Sequence, residues 1–251
     1  MFTLNLLLCF LGLCYGSFVG SYIVRFPRII DPESDITMSS PRSKCESCGE
    51  TLKVHMLIPL LSYLVQKGKC SYCRKSIGTF YFINELLHLL LMALMLWAGL
   101  FSSLTELLTL FLVVSSLYAQ FILDLKHFSL SIYLSVKILV LGLIINYSGF
   151  FADIQSAVLG FTAGYLSLFL INKIFYYFRK KEGIGGGDFI LLASIGALFG
   201  YQMLSVVVLL GSLFSLLIYL FKRSNFDNRV PFGSGLALSA LLIIWIKISV
   251  V

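Results

Sequence analysis

Charge is scarce in this sequence of 251 residues: Asp, Glu, Lys and Arg make up 12% of it, against 59% hydrophobic residues. So little charge excludes a soluble globular chain, and several apolar runs approach the roughly 20 residues needed to cross a bilayer. The composition predicts an all-α polytopic membrane protein of about eight transmembrane helices. Candidate spans are 3–24, 84–101, 104–123, 129–148, 154–177, 188–200, 203–221 and 232–250. The sixth is short and lies close to the seventh, which implies a tight helical hairpin. Internal repeats and low-complexity tracts are absent. The first apolar run has no basic residue ahead of it and no convincing small-residue cleavage site, which favours a retained helix over a signal peptide.

Basic residues are missing from alternate connections. None lies at 102–103, 149–153 or 201–202. Between the first two spans stand Arg25, Arg28, Arg42, Lys44, Lys53, Lys67, Lys69, Arg74 and Lys75; Lys126 follows the third span, Arg179, Lys180 and Lys181 the fifth, and Lys222, Arg223 and Arg229 the seventh. Sixteen of nineteen basic residues thus fall on one side, which the positive-inside rule makes the cytoplasm, with both termini outside. The net charge of +7 is then a signal of topology in a lipid bilayer and implies no nucleic-acid partner.

One segment outside the spans is large enough to fold. It divides the chain into an N-terminal transmembrane helix (1–24), a cytoplasmic loop domain (25–83) and a seven-helix membrane domain (84–251). Its first part, RFPRIIDPESDITMSSPRSK, has three prolines and mixed charge and reads as irregular. Its second part holds Cys45-Glu-Ser-Cys48 and Cys70-Ser-Tyr-Cys73, two C-x-x-C units separated by 21 residues, as in paired zinc knuckles. Each tight turn offers two thiolates, and together they complete a tetrahedral four-cysteine site. The reducing cytoplasmic side disfavours disulfides, and two matching units disfavour a redox pair. Four sulfur ligands leave no open position, so the zinc is expected to be structural. His55 reads as an ordinary loop residue, and Cys9 and Cys14 as small apolar packers. Between the pairs, HMLIPLLSYLV is too short to span and reads as a small core or an interfacial segment.

Acids are costly in hydrocarbon, so each one near a span is a functional candidate until a plainer role fits. Glu106 and Asp153 sit near outer helix ends and reach water; Glu85 starts the second span, where a carboxylate suits a helix N-terminus. Asp124, closing SSLYAQFILDLKHF, and Asp188, opening the sixth span after GIGGG, have no such account. The loop charges place both at the cytoplasmic boundary, where they can meet. Carboxylates a few ångströms apart do not both ionise easily; such a pair can activate a water with one member and polarise an amide carbonyl with the other. The glycines, Gly185 and Gly187 among them, give backbone and substrate clearance around Asp188. A phosphate loop is excluded because no lysine follows the glycines.

These motifs together resemble the type IV prepilin peptidases, a family of bifunctional leader peptidases and N-methyltransferases, and in particular its compact Gram-positive, competence-type members. GSFVGSYIVRFP at 16–27, the knuckle segment at 44–77 with Ile58, Pro59, Leu61 and Ser62, EGIGGGDFILLASIGALFG, and VPFGSGLALSALL carry the resemblance over nearly the whole chain. It implies a membrane aspartic endopeptidase of the G-x-G-D type with Asp124 and Asp188 catalytic, cutting type IV prepilins or pilin-like precursors at the cytoplasmic face of the bacterial inner membrane. It further implies S-adenosylmethionine-dependent methylation of the new amine, with residues for that cofactor unassigned. Ser131 stands where the family often has proline, Ile190 where it commonly has lysine, and Phe80 where it has arginine. Other readings of the same residues are a presenilin-like protease cutting inside a substrate's membrane helix, a zinc-loop scaffold of a secretion machine, and a carboxylate-relay transporter.

Overall fold

The computed structural model describes residues 2–99, 101–181, 183–222 and 229–250. Among them the chain is helical, with two isolated β-bridges and no strand. The helices are α1 (Phe2–Ile29), α2 (Leu61–Val65), α3 (Phe80–Ala98), α4 (Leu104–His127), α5 (Ile132–Asn146), α6 (Ile154–Arg179), α7 (Gly186–Phe199), α8 (Leu204–Lys222) and α9 (Phe232–Val250). By length and composition, six of them (α1, α3, α4, α6, α8 with its preceding turn, and α9) can cross a membrane, whereas α5 and α7 are shorter apolar helices. The chain falls into two compact units, Met1–Gly99 and Leu100–Val251.

In the first unit, α1 outruns its expected span because Arg25 stays helical and turns its guanidinium onto the segment that follows. It donates to the carbonyls of Thr37, Met38 and Pro41 at 3.2, 3.0 and 3.0 Å, organising an otherwise irregular segment. α1 packs against α3 through Gly12, Gly16 and Gly20, spaced four apart, which face Met92, His88 and Asn84. Small residues at this spacing let two membrane helices approach closely. Asn84, buried in the seam, donates its side-chain amide to the Gly16 carbonyl. Glu85 lies inside α3 and not in its first turn as expected, because the helix already begins at Phe80. Its carboxylate accepts from the Leu60 N–H at 2.8 Å.

In the second unit α7 is the central element, buried from Leu191 through Phe199. A helix packed in protein on all sides need not match the lipid thickness, which accounts for its 14 residues. Its last carbonyls, at Ala197 and Leu198, accept from the Asn146 side chain at 3.0 and 2.8 Å, satisfying groups a helix end leaves orphaned. The connection to α8 is as tight as expected, through Gly200 at φ +79° and a 3-10 turn at Tyr201–Met203. The two helices do not form a packed hairpin, however: α7 lies chiefly on α5 and α6, while α8 lies on α9. The reason is a close crossing of α6 and α7, where a Cβ at Gly160 would collide with the Gly196 carbonyl and one at Gly196 with the Gly160 carbonyl.

That crossing tolerates no side chain. Gly160→Val should lower thermal stability in detergent by about 2 kcal/mol or more, read as a fall in Tm against the unchanged chain, because the colliding atoms are backbone and cannot swing aside.

Candidate active site and metal centre

Three helix ends meet in the second unit. The last turn of α4 presents Asp124, buried at 6% exposure; the first turn of α7 presents Asp188; and the first turn of α9 touches both. From α9, Ser234 gives Asp124 Oδ2 its backbone N–H at 2.5 Å and sets its hydroxyl 2.9 Å away. The same hydroxyl lies 3.1 Å from the Phe121 carbonyl. That N–H is available because a helix's first amides have no partner within the helix. One residue earlier stands Gly233, where an added Cβ would fall 3.1 Å from Asp188 Oδ1 and 2.7 Å from Leu130 Cδ1. The two acids that sequence alone marks out are thus neighbours, joined by Gly233 and Ser234.

The surrounding loops are tied down from beneath. Gln120, fully buried on α4 one turn before Asp124, accepts from the Ser131 N–H at 2.9 Å and donates to the Ser131 carbonyl and the Ser135 hydroxyl, each at 2.8 Å. This fixes the α4–α5 turn, with Phe128 in the left-handed region at φ +49°. The turn in turn sets Leu130 between Gly187 and Gly233; a Cβ on Gly187 would come 2.9 Å from the Leu130 Cβ. Gly185 caps α7 by accepting the Asp188 N–H at 3.1 Å, and an added Cβ there would sit 3.3 Å from Asp188 Oδ2. On α6, the Asn172 side chain accepts from the Gly183 and Ile184 N–H groups at 2.9 and 3.1 Å and holds the glycine segment. Asp188 Oδ1 is buried with no hydrogen-bond partner. Buried polar atoms left in that state are uncommon and call for a specific reason.

Asp153 and Glu106 have the plain roles expected of them. Asp153 caps α6 by accepting the Ser156 N–H at 3.0 Å, and Glu106 accepts the Ser102 hydroxyl at 2.7 Å. Ser234, Gln120, Asn172 and Leu130 were not singled out from sequence. Asn172 and Gln120 carried a usable signal, as amides inside apolar spans must find partners; Leu130 carried none.

In the first unit, the Sγ atoms of Cys45, Cys48, Cys70 and Cys73 all lie within 4.8 Å of one another. Two equivalent knuckles produce this. Cys45 N–H donates to the Glu50 carbonyl and Gly49 N–H back to the Cys45 carbonyl, as Cys70 N–H does to Lys75 and Arg74 N–H to Cys70, each at 2.9 Å. The residue after each second cysteine, Gly49 or Arg74, is left-handed at φ +75° and +61°. Zinc–sulfur bonds of about 2.3 Å in a tetrahedron need sulfurs roughly 3.8 Å apart. The Cys45 and Cys73 sulfurs stand at 3.9 Å. The backbone N–H groups of Cys48 and Ser47 hold the Cys45 thiol down at about 6, so it presents a thiolate near neutral pH. Cys70 is the only buried hydrophobic residue among the described residues between α1 and α3. A metal would therefore supply cohesion that apolar packing does not. His55 is exposed in a 3-10 turn and outside the cluster.

The arrangement in the second unit is two carboxylates at adjoining helix ends in an apolar bundle. Comparison with known proteins gives the family. Residues 10–99 match the bacterial peptidase A24 N-terminal domain and residues 110–220 the type IV leader peptidase family. The chain is 32% identical to a prepilin leader peptidase/N-methyltransferase of Pseudomonas aeruginosa, over 94% of this chain and 88% of that protein. It is 34% identical to one of Burkholderia pseudomallei, over 90% and 80% of the two chains. The chain belongs to the type IV leader peptidase family. No solved structure matches it.

Replacing one knuckle cysteine tests the metal centre. Purified protein should carry one zinc per chain by elemental analysis, and Cys70→Ser should lose most of it and expose the 30–79 loop to limited proteolysis; full zinc occupancy in that variant would contradict a four-cysteine site.

Proposed function

We propose that this protein is a membrane-embedded aspartic endopeptidase that removes the leader of type IV prepilins or pilin-like precursors at the cytoplasmic membrane face, with Asp124 and Asp188 as its catalytic pair. The observation that supports it most is the first turn of α9, which touches both carboxylates at once. One acid takes a proton from a water as that water attacks the scissile carbonyl carbon. The other hydrogen-bonds the carbonyl oxygen and protonates it as the tetrahedral intermediate forms. Collapse breaks the C–N bond: the leaving nitrogen takes a proton from one acid, and the intermediate's hydroxyl returns its proton to the other, which restores the pair. Asp188 Oδ1, buried and without a donor of its own, has the free acceptor capacity this needs. Gly185 and Gly233 keep side chains out of the space around Asp188, and Gly187 leaves room for Leu130.

The helix ends and connections at this end of the second unit contain Lys126, Arg179, Lys180, Lys181 and Arg229, whereas the connections at the other end contain no Lys or Arg. By the positive-inside rule the site then faces the cytoplasm and both termini lie outside, in a multi-pass protein of the bacterial inner membrane. The four cysteines hold a structural zinc that folds the 30–79 loop. The relatives' names include N-methyltransferase, which implies S-adenosylmethionine as methyl donor. We extend that activity to this chain.

Asp124→Asn and Asp188→Asn should each reduce prepilin cleavage in proteoliposomes by at least about a thousandfold while zinc content and thermal stability stay unchanged. Substantial cleavage by either variant would refute the paired mechanism. Ser234→Ala, which keeps the backbone donor and removes the hydroxyl, should lower kcat about tenfold with KM little changed, since a hydrogen bond to a charged group is worth roughly 1.5–3 kcal/mol.

A further inference from the structure

The segment between the two knuckles leaves its apolar side chains in the open. Val54, Leu57, Ile58, Leu61, Leu64 and Val65 are 41–80% exposed and recur at three- and four-residue spacing across a 3-10 turn (Val54–Leu57) and α2. This is not the small core that the sequence permits. Two contacts fix where the strip sits. Leu60, left-handed at φ 58°, donates its N–H to Glu85 of α3 at 2.8 Å, and the Tyr63 ring stands 5.0 Å from Phe82 of α3. Both anchors lie in the first two turns of a helix apolar enough to cross a membrane. The strip is therefore pinned at the level where α3 enters the bilayer.

Charge then selects the occupant. Between Thr51 and Asn84 there is no Asp or Glu, while Lys53, Lys67, Lys69, Arg74 and Lys75 are all present and exposed. An apolar strip whose own segment carries only cations, and whose bonded carboxylate, Glu85, is buried, complements a surface of acidic headgroups over acyl chains and repels a basic peptide. We propose that residues 54–65 form an interfacial anchor that lies in the headgroup region of anionic lipid and fixes the cysteine loop against the membrane. The anchor does not depend on the chemistry of the aspartate pair.

A single-tryptophan chain reads it directly: Trp97→Phe and Trp245→Phe with Leu64→Trp, reconstituted in phosphatidylethanolamine–phosphatidylglycerol vesicles, with Val65→Trp as a second reporter and zinc content as the control for folding. Both reporters should emit at short wavelength, lose most of their fluorescence to lipids brominated near the headgroup, and resist aqueous iodide. Water-like emission and full iodide quenching at both positions in zinc-loaded protein would overturn the proposal. So would shielding that arises only when a prepilin peptide is added, which would make the strip a peptide site.

Discussion

The first turn of α9 is the contact on which the second unit's site depends. Helix amides at an N-terminus lack partners, and here one of them, on Ser234, is spent on a carboxylate that would otherwise be stranded in an apolar bundle. Gly233, one residue earlier, brings the same turn against Asp188 because it has no side chain. Pro231 just before the helix suits this role, since proline is tolerated where a helix begins. Three segments far apart in sequence are thereby held to one another at a single point.

Holding two acids there requires scaffolding that is short, close-packed and internally satisfied. The Gly160–Gly196 crossing brings α7 onto α6, Asn146 closes its far end, and Asn172 holds the loop that leads into it. Gln120 does the same for the turn after Asp124, tying Ser131 back to α4 and placing Leu130 between the glycines. The first unit solves a different problem. Its loop has almost no apolar interior, so paired backbone turns and four converging thiols supply the order that packing does not.

Much of this was legible in the sequence, for identifiable reasons. Apolar run lengths report helices directly, and helix positions followed within a few residues. The acids stood out because they had no plain account, and the cysteines because their spacing repeats. What was hidden is tertiary. Whether α7 packs against α8 or α6 depends on which glycines face each other across helices. Ser234 was visible only as part of Pro-Phe-Gly-Ser, where nothing local says that its hydroxyl meets a residue 110 positions away. Glu85 was misplaced by one turn because the aromatic run from Phe80 reads equally as loop or helix.

The central claim is that Asp124 and Asp188 belong to one site within one chain. Its most direct test is a chain carrying Asp124→Cys and Asp188→Cys, with Cys9 and Cys14 replaced by serine and zinc bound, treated in the membrane with a short bis-methanethiosulfonate linker and mapped by mass spectrometry. A single intramolecular bridge between positions 124 and 188 is the expected result. Separate, unbridged modification of the two cysteines would contradict the account.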